Sequence, residues 1–211
     1  MKNLQSIITF LFAVFSLSMN AQTTANNGVR EAAMKGKADL IKILSENREF
    51  NFGVSAKDVE AAQVSNPIEI FSTDFNKLLA DNGSNVASIS RSESVFIVPF
   101  ASDGRVITTV SVASDSKGAK VVELVNQQYS SELNQLPAEI KRANFRGLRF
   151  IHVPNIEATV YIFEDKCYTS YNGRSLREGI SISEISRQLQ NDVKVFQTRF
   201  GEELKKGKLV R

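Results

Sequence analysis

The stretch that most limits the fold is residues 86–126, where apolar residues recur at every second position in runs rich in Val, Ile and Phe. Successive side chains of a strand point to opposite faces, so a period of two reads as β-structure rather than helix. Four strands are predicted, at residues 86–90, 94–101, 105–113 and 119–126. Asp103-Gly104 separates the middle two, and both residue types tolerate the positive φ that a two-residue hairpin requires. Asp115-Ser116-Lys117-Gly118 is a longer turn of the same chemistry.

Helical periods flank this meander. Val29, Ala33, Gly36, Leu40 and Ile43 predict a helix over about 28–46. A second helix opens at Ser55, where Ser55 and Asp58 have capping-box spacing and Val54 and Val59 can form the hydrophobic staple. Ala61, Ala62 and Val64 continue it until Asn66-Pro67. A short strand around Ile68–Phe71 and helical turns from Phe75 to Leu79 follow, the latter ended by Asp81-Asn82-Gly83. Residues 128–143 predict one helix, with Pro137 an ill-fitting residue within it, and strands are expected at 147–153, 157–164 and near 167–171. The last helix is the clearest element: Ile182, Ile185, Leu189, Val193, Phe196, Phe200 and Leu204 form one stripe, introduced by a Ser181/Glu184 box. Its stripe should cover the sheet, with Phe196 and Phe200 the deepest side chains. Clustered strands with flanking helices predict an α+β fold, a meander-rich antiparallel sheet with helices packed on one face. The 42% hydrophobic and 23% charged composition fits a globular chain, and residues 28–211 are expected to form one domain.

The first 21 residues stand apart. Lys2 gives a positive start, Ile7–Leu17 is almost unbroken apolar sequence, and Ser18-Met19-Asn20-Ala21 ends in small and polar residues. This is the layout of a cleavable signal peptide, and the apolar run is too short to span a bilayer. Cleavage after Ala21 is expected, followed by a flexible leader at 22–27 and a periplasmic or secreted location. Loss of Lys2 takes the formal charge from +3 to +2, too little to attract nucleic acid as a whole molecule.

Catalytic chemistry is scarce. One Cys and one His exclude a disulfide framework, a Cys/His zinc site and an iron–sulfur cluster. His152 and Cys167 would make a dyad only if adjacent, yet a meander over 147–171 sets His152 opposite Thr159 and Cys167 opposite Glu164, several rungs apart. Ser114-Asp115-Ser116-Lys117 has serine–lysine spacing but lies in a hairpin turn, not on a buried helix. Asn82-Gly83-Ser84 is a glycosylation sequon that serves here as a turn. Carboxylates remain open: Glu157, Glu164 and Asp165, or Asp58 and Glu60. No catalytic, cofactor or metal residue is assigned.

Charge is unevenly placed. Lys141, Arg142, Arg146 and Arg149 face Glu139 alone, while Lys194, Arg199, Lys205, Lys206, Lys208 and Arg211 outnumber Glu202 and Glu203. Residues 46–74 are acidic by contrast. The C-terminal cations are the candidate surface for an anionic partner, a protein or an envelope polymer.

Ser55–Phe71, followed by Val95–Val112 with its Val98-Pro99 and Asp103-Gly104, resembles uncharacterised secreted bacterial proteins in which a capped helix and short strand precede such a meander. The resemblance covers about the middle third of the chain and implies a fold, not a site. The expected role is an exported, non-catalytic domain that binds another macromolecule. A carboxylate-based hydrolase and a structural envelope component are the alternatives.

Overall fold

A computed structural model of the protein describes residues 27–46, 52–80 and 85–205, with Leu204 and Lys205 described by backbone alone. Helix α1 (27–46) and α2 (Ala56–Ala61) lead into β1 (Gln63–Val64) and β2 (Ile68–Thr73). Two short helices, α3 (Phe75–Ala80) and α4 (Val86–Ile89), precede the meander β3 (Ser90–Ser102), β4 (Arg105–Asp115) and β5 (Gly118–Glu123). After α5 (Gln127–Gln135) and α6 (Ala138–Arg142) come β6 (Arg149–Val153), β7 (Ala158–Phe163), β8 (Lys166–Tyr168) and β9 (Ile180–Ser181), and α7 (Ile182–Lys205) closes the described chain.

All the strands share one sheet in the order β5-β4-β3-β2-β6-β7-β8-β9, with β1 prolonging β2 along β3. Pairing is antiparallel except between β2 and β6, so the class is α+β with a mostly antiparallel sheet. Turn chemistry sets the register. Ser102 pairs with Arg105, and the intervening Asp103 and Gly104 both have positive φ, 52° and 74°, which is the two-residue geometry their sequence favours.

The helices divide between both faces instead of sharing one. Ile97, Phe150 and Tyr161 cluster with Leu133, Leu136 and Ile140 of α5 and α6. Their strand neighbours point the other way: Val98 and Val110 meet Val29 and Ala33 of α1, while Ile151 and Val160 meet Ile185 and Leu189 of α7. The reason is that both faces of these strands are apolar, as in Phe150-Ile151 and Val160-Tyr161, and each face has to be covered. Gly36 lets α1 settle closely on the sheet, since a Cβ there would lie 2.8 Å from Val121 Cγ2.

Three predicted elements change. Residues 86–90 begin as helix, because the Asn85 side chain accepts the Ala87 N–H at 2.8 Å and Val86 and Ile89, three apart, face the core under α7. The second helix stops at Ala61: Lys37 donates to the carbonyls of Glu60 and Ala62, at 2.9 and 2.6 Å, and Gln63–Val64 pair with β3. Chain reversal between β6 and β7 takes Pro154 to Glu157, with Val153 opposite Ala158. The expected signal segment, residues 22–26 of the leader expected at 22–27, and the expected turn at Asn82-Gly83-Ser84 lie outside the described residues, and Asn27 already belongs to α1.

Candidate functional site

Helix α7 starts as its sequence dictates. The Ser181 hydroxyl accepts the Glu184 N–H at 3.2 Å, while the Glu184 carboxylate turns away to Arg174 at 2.9 Å, leaving half a capping box. In its first three turns Ile185, Leu189 and Val193 are fully buried against Ile151, Val160, Ile162 and Cys167.

Beyond Val193 the same helical stripe leaves the sheet. Phe196 and Phe200 are only half-buried, which corrects the expectation that they are the deepest residues. Phe196 meets Phe75 edge-on at 5.8 Å and Phe200 at 5.0 Å, and Val195 is 62% exposed. Val195, Phe196 and Phe200 join Ile156 and Tyr171 in a groove of about 380 Å³ with an apolar centre, rimmed by Asn172, Asp192 and Arg199. Tyr171 is firmly protonated there: burial first, then its hydrogen bond to Asp192 and the charge of that carboxylate, push its hydroxyl up to about 12.

Of the predicted cationic surface, Lys194 and Arg199 are exposed on α7, and the Arg199 guanidinium lies 5.9 Å from the Phe200 ring centre. Lys205 is the last helical residue, with its side chain outside the description, and Lys206, Lys208 and Arg211 lie outside the described residues. The other basic stretch is dispersed. Arg149 stacks on Phe71 at 4.2 Å, and Lys141 donates to the Asn134 carbonyl at 3.0 Å.

The Cys–His pair is separated by the sheet itself. His152 stands opposite Thr159 as expected, but Cys167 pairs with Ile162, not Glu164, because the β7–β8 turn is Glu164-Asp165. Thr159 and Ile162 are three residues apart, so the two side chains fall on opposite faces. Cys167 is buried beneath α7, and burial pushes its thiol up to about 12, which keeps it from acting as a thiolate. Ser114 is paired within β4, opposite Ala119, and Lys117 sits in the turn, where its N–H donates to the Asp115 carboxylate at 2.7 Å.

The predicted carboxylates do not converge. Asp58 accepts the Ser55 hydroxyl at the start of α2, Glu60 is exposed, and Glu164 and Asp165 occupy the exposed turn. Glu157, however, shares a cleft of about 820 Å³ with Glu93 and His152, floored by Tyr129 and Phe150. Behind that floor Tyr161 donates to Glu132 at 2.6 Å, both buried, and Gln128 donates to the other carboxylate oxygen at 2.9 Å. Burial, then the nearby Glu132 charge, raise the Tyr161 hydroxyl well above its ordinary value. Glu132 was discernible in the sequence, since it lies three residues after Tyr129 and beside Leu133 on one helical face. Glu93 and the groove residues Ile156, Tyr171 and Asp192 carry no local signal.

Among the described residues no group of three His, Cys, Asp or Glu side chains could hold a metal ion, and no helix is long and apolar enough to cross a membrane. The chain matches no protein-family model, no curated protein and no solved structure.

Proposed function

We propose that the protein is an exported, non-catalytic domain that binds another macromolecule in an accessory, inhibitory or scaffold role, and that it docks through the distal half of α7. One observation carries this: the groove of Ile156, Tyr171, Val195, Phe196 and Phe200 is apolar, solvent-facing and rimmed by charge. Interfaces place apolar and aromatic contacts at the centre and charges at the edge. An apolar centre favours a protein partner over an anionic polymer, which has charge but few apolar side chains. Arg199 and Lys194 favour acidic flanks on that protein. Residues 1–21 support delivery to the periplasm or medium, with Gln22 as the new N-terminus.

Affinity capture from the native envelope and medium tests this reading with the protein and its Val195→Asp/Phe200→Asp variant. An acidic protein retained by the first and released by the second, with melting unchanged, is the expected result. Equal retention by both sinks the assignment of α7, and an N-terminal mass with Met1 intact sinks export with cleavage.

Glu93, Glu157 and His152 lining one cleft favour a second reading, a carboxylate-based hydrolase. Both glutamates are exposed, whereas acid–base catalysis sets its two carboxyl groups in contrasting environments. Glycoside and ester substrates turned over by the protein but not by Glu157→Gln would favour this reading over binding.

A further inference from the structure

We propose a second site, independent of α7, that binds a small ligand bearing a carboxylate, phosphate or sulfate group in the cleft between α5 and the outer edge of β4. Strand β5 pairs only with Ser111–Asp115, so among the described residues the Arg105–Val110 half of β4 has no strand outside it. Asn134 of α5 covers part of that edge, accepting the Val106 N–H and donating to the Val106 carbonyl, both at 2.8 Å. What remains is a cleft of about 670 Å³, the size of a small-ligand site.

Among the described residues its charge has one sign: Arg105, Lys141 and Arg177 line it, and no described Asp or Glu does. Among the described residues the ion pair is Arg174–Glu184, so none of these three cations is neutralised by a neighbouring carboxylate. Arg105 comes from the hairpin end of β4, Lys141 from α6, and Arg177 from the segment that Leu176 anchors in the core beside Leu133 and Leu136. The Lys141 ammonium is held at the Asn134 carbonyl, which uses one of its three hydrogens and leaves two to donate.

Two guanidiniums and one ammonium offer donors alone to an acceptor-only group, with the arginine forks suited to planar or tetrahedral oxyanions.

Calorimetric titration of the purified protein at fixed ionic strength tests the site, using inorganic phosphate, inorganic sulfate and glucuronate, with glucose as the neutral control. At least one anion should bind and glucose should not; the anion bound most tightly separates phosphate, sulfate and carboxylate ligands. Arg105→Gln/Arg177→Gln should weaken that anion about tenfold or more, as expected for lost charge-assisted hydrogen bonds. Lys194→Gln/Arg199→Gln should change nothing, which separates this site from the α7 surface. Anions no better than glucose, an arginine variant that binds like the wild type, or a weakening that follows the α7 variant would each overturn the proposal.

Discussion

The two halves of α7 share one helical stripe and have opposite fates. Ile185, Leu189 and Val193 are fully buried over β6, β7 and β8, whereas Phe196 and Phe200, continuing the same spacing, stay half-buried and Val195 beside them is exposed. The helix runs 24 residues, about 36 Å at 1.5 Å per residue, while β7 has six residues and β8 has three, giving about 20 Å for β7 at 3.3 Å per residue. The sheet ends before the helix does. A continuous apolar face can therefore be core at one end and docking surface at the other, and only the length of the partner layer separates the two roles.

The largest expected effect is in the proximal half. Leu189→Ala removes a fully buried side chain above Val160 and Ile162, and should cost about 2–5 kcal/mol in urea unfolding. A loss below about 1 kcal/mol would mean that this half is not core.

Alkali should probe the same half next. Cys167, under it, holds its proton from its ordinary 9.0 up to about 12 because of burial. Above pH 9 the unfolded thiol releases a proton that the folded one keeps, so stability is full below pH 9 and falls as pH rises towards 12. Tyr171 at the distal groove adds a decline beginning near its ordinary 10.0. Cys167→Ala should flatten the early part of the curve and Tyr171→Phe only the later part. An early fall that survives in Cys167→Ala would contradict the burial of that thiol.

A smaller loss is expected at Phe196. Full burial would set Phe→Ala at about 3–5 kcal/mol, and a half-buried ring with an edge-on partner at Phe75 should lose about half of that. If Phe196→Ala costs as much as Leu189→Ala, the distal half is core after all. Smallest is Val195→Asp, which should leave stability within about 0.5 kcal/mol of wild type and still release the docked partner. Destabilisation comparable to that of Leu189→Ala would place Val195 in the interior and erase the contrast.

Local chemistry made much of the fold legible. The Asp103-Gly104 hairpin, the His152–Thr159 rung and the Ser181 cap all rest on residues within a few positions of one another, where propensity and turn geometry act directly. Residues 86–90, read as a strand, are mostly helical because so short a segment, Val-Ala-Ser-Ile-Ser, fits either period, and the packing under α7 chose the helix. The candidate sites were less legible. Lys194 and Arg199 could be placed on an exposed helical side from spacing alone. The apolar groove and the basic cleft each draw residues from distant segments, Ile156 with Val195 and Arg105 with Arg177.

What the sequence determined by itself, then, was the α+β class, the meander and its turns, the stripe of α7, and the absence of enough Cys and His for a disulfide framework or a Cys/His metal centre. These follow from composition and from interactions within a turn or two of chain. The tertiary structure alone decided that helices cover both faces and that the apolar stripe of α7 outruns the sheet. Each of these depends on which surfaces meet after strands distant in the chain have paired, and β2 lies beside β6 only because the intervening meander folds outward on one side.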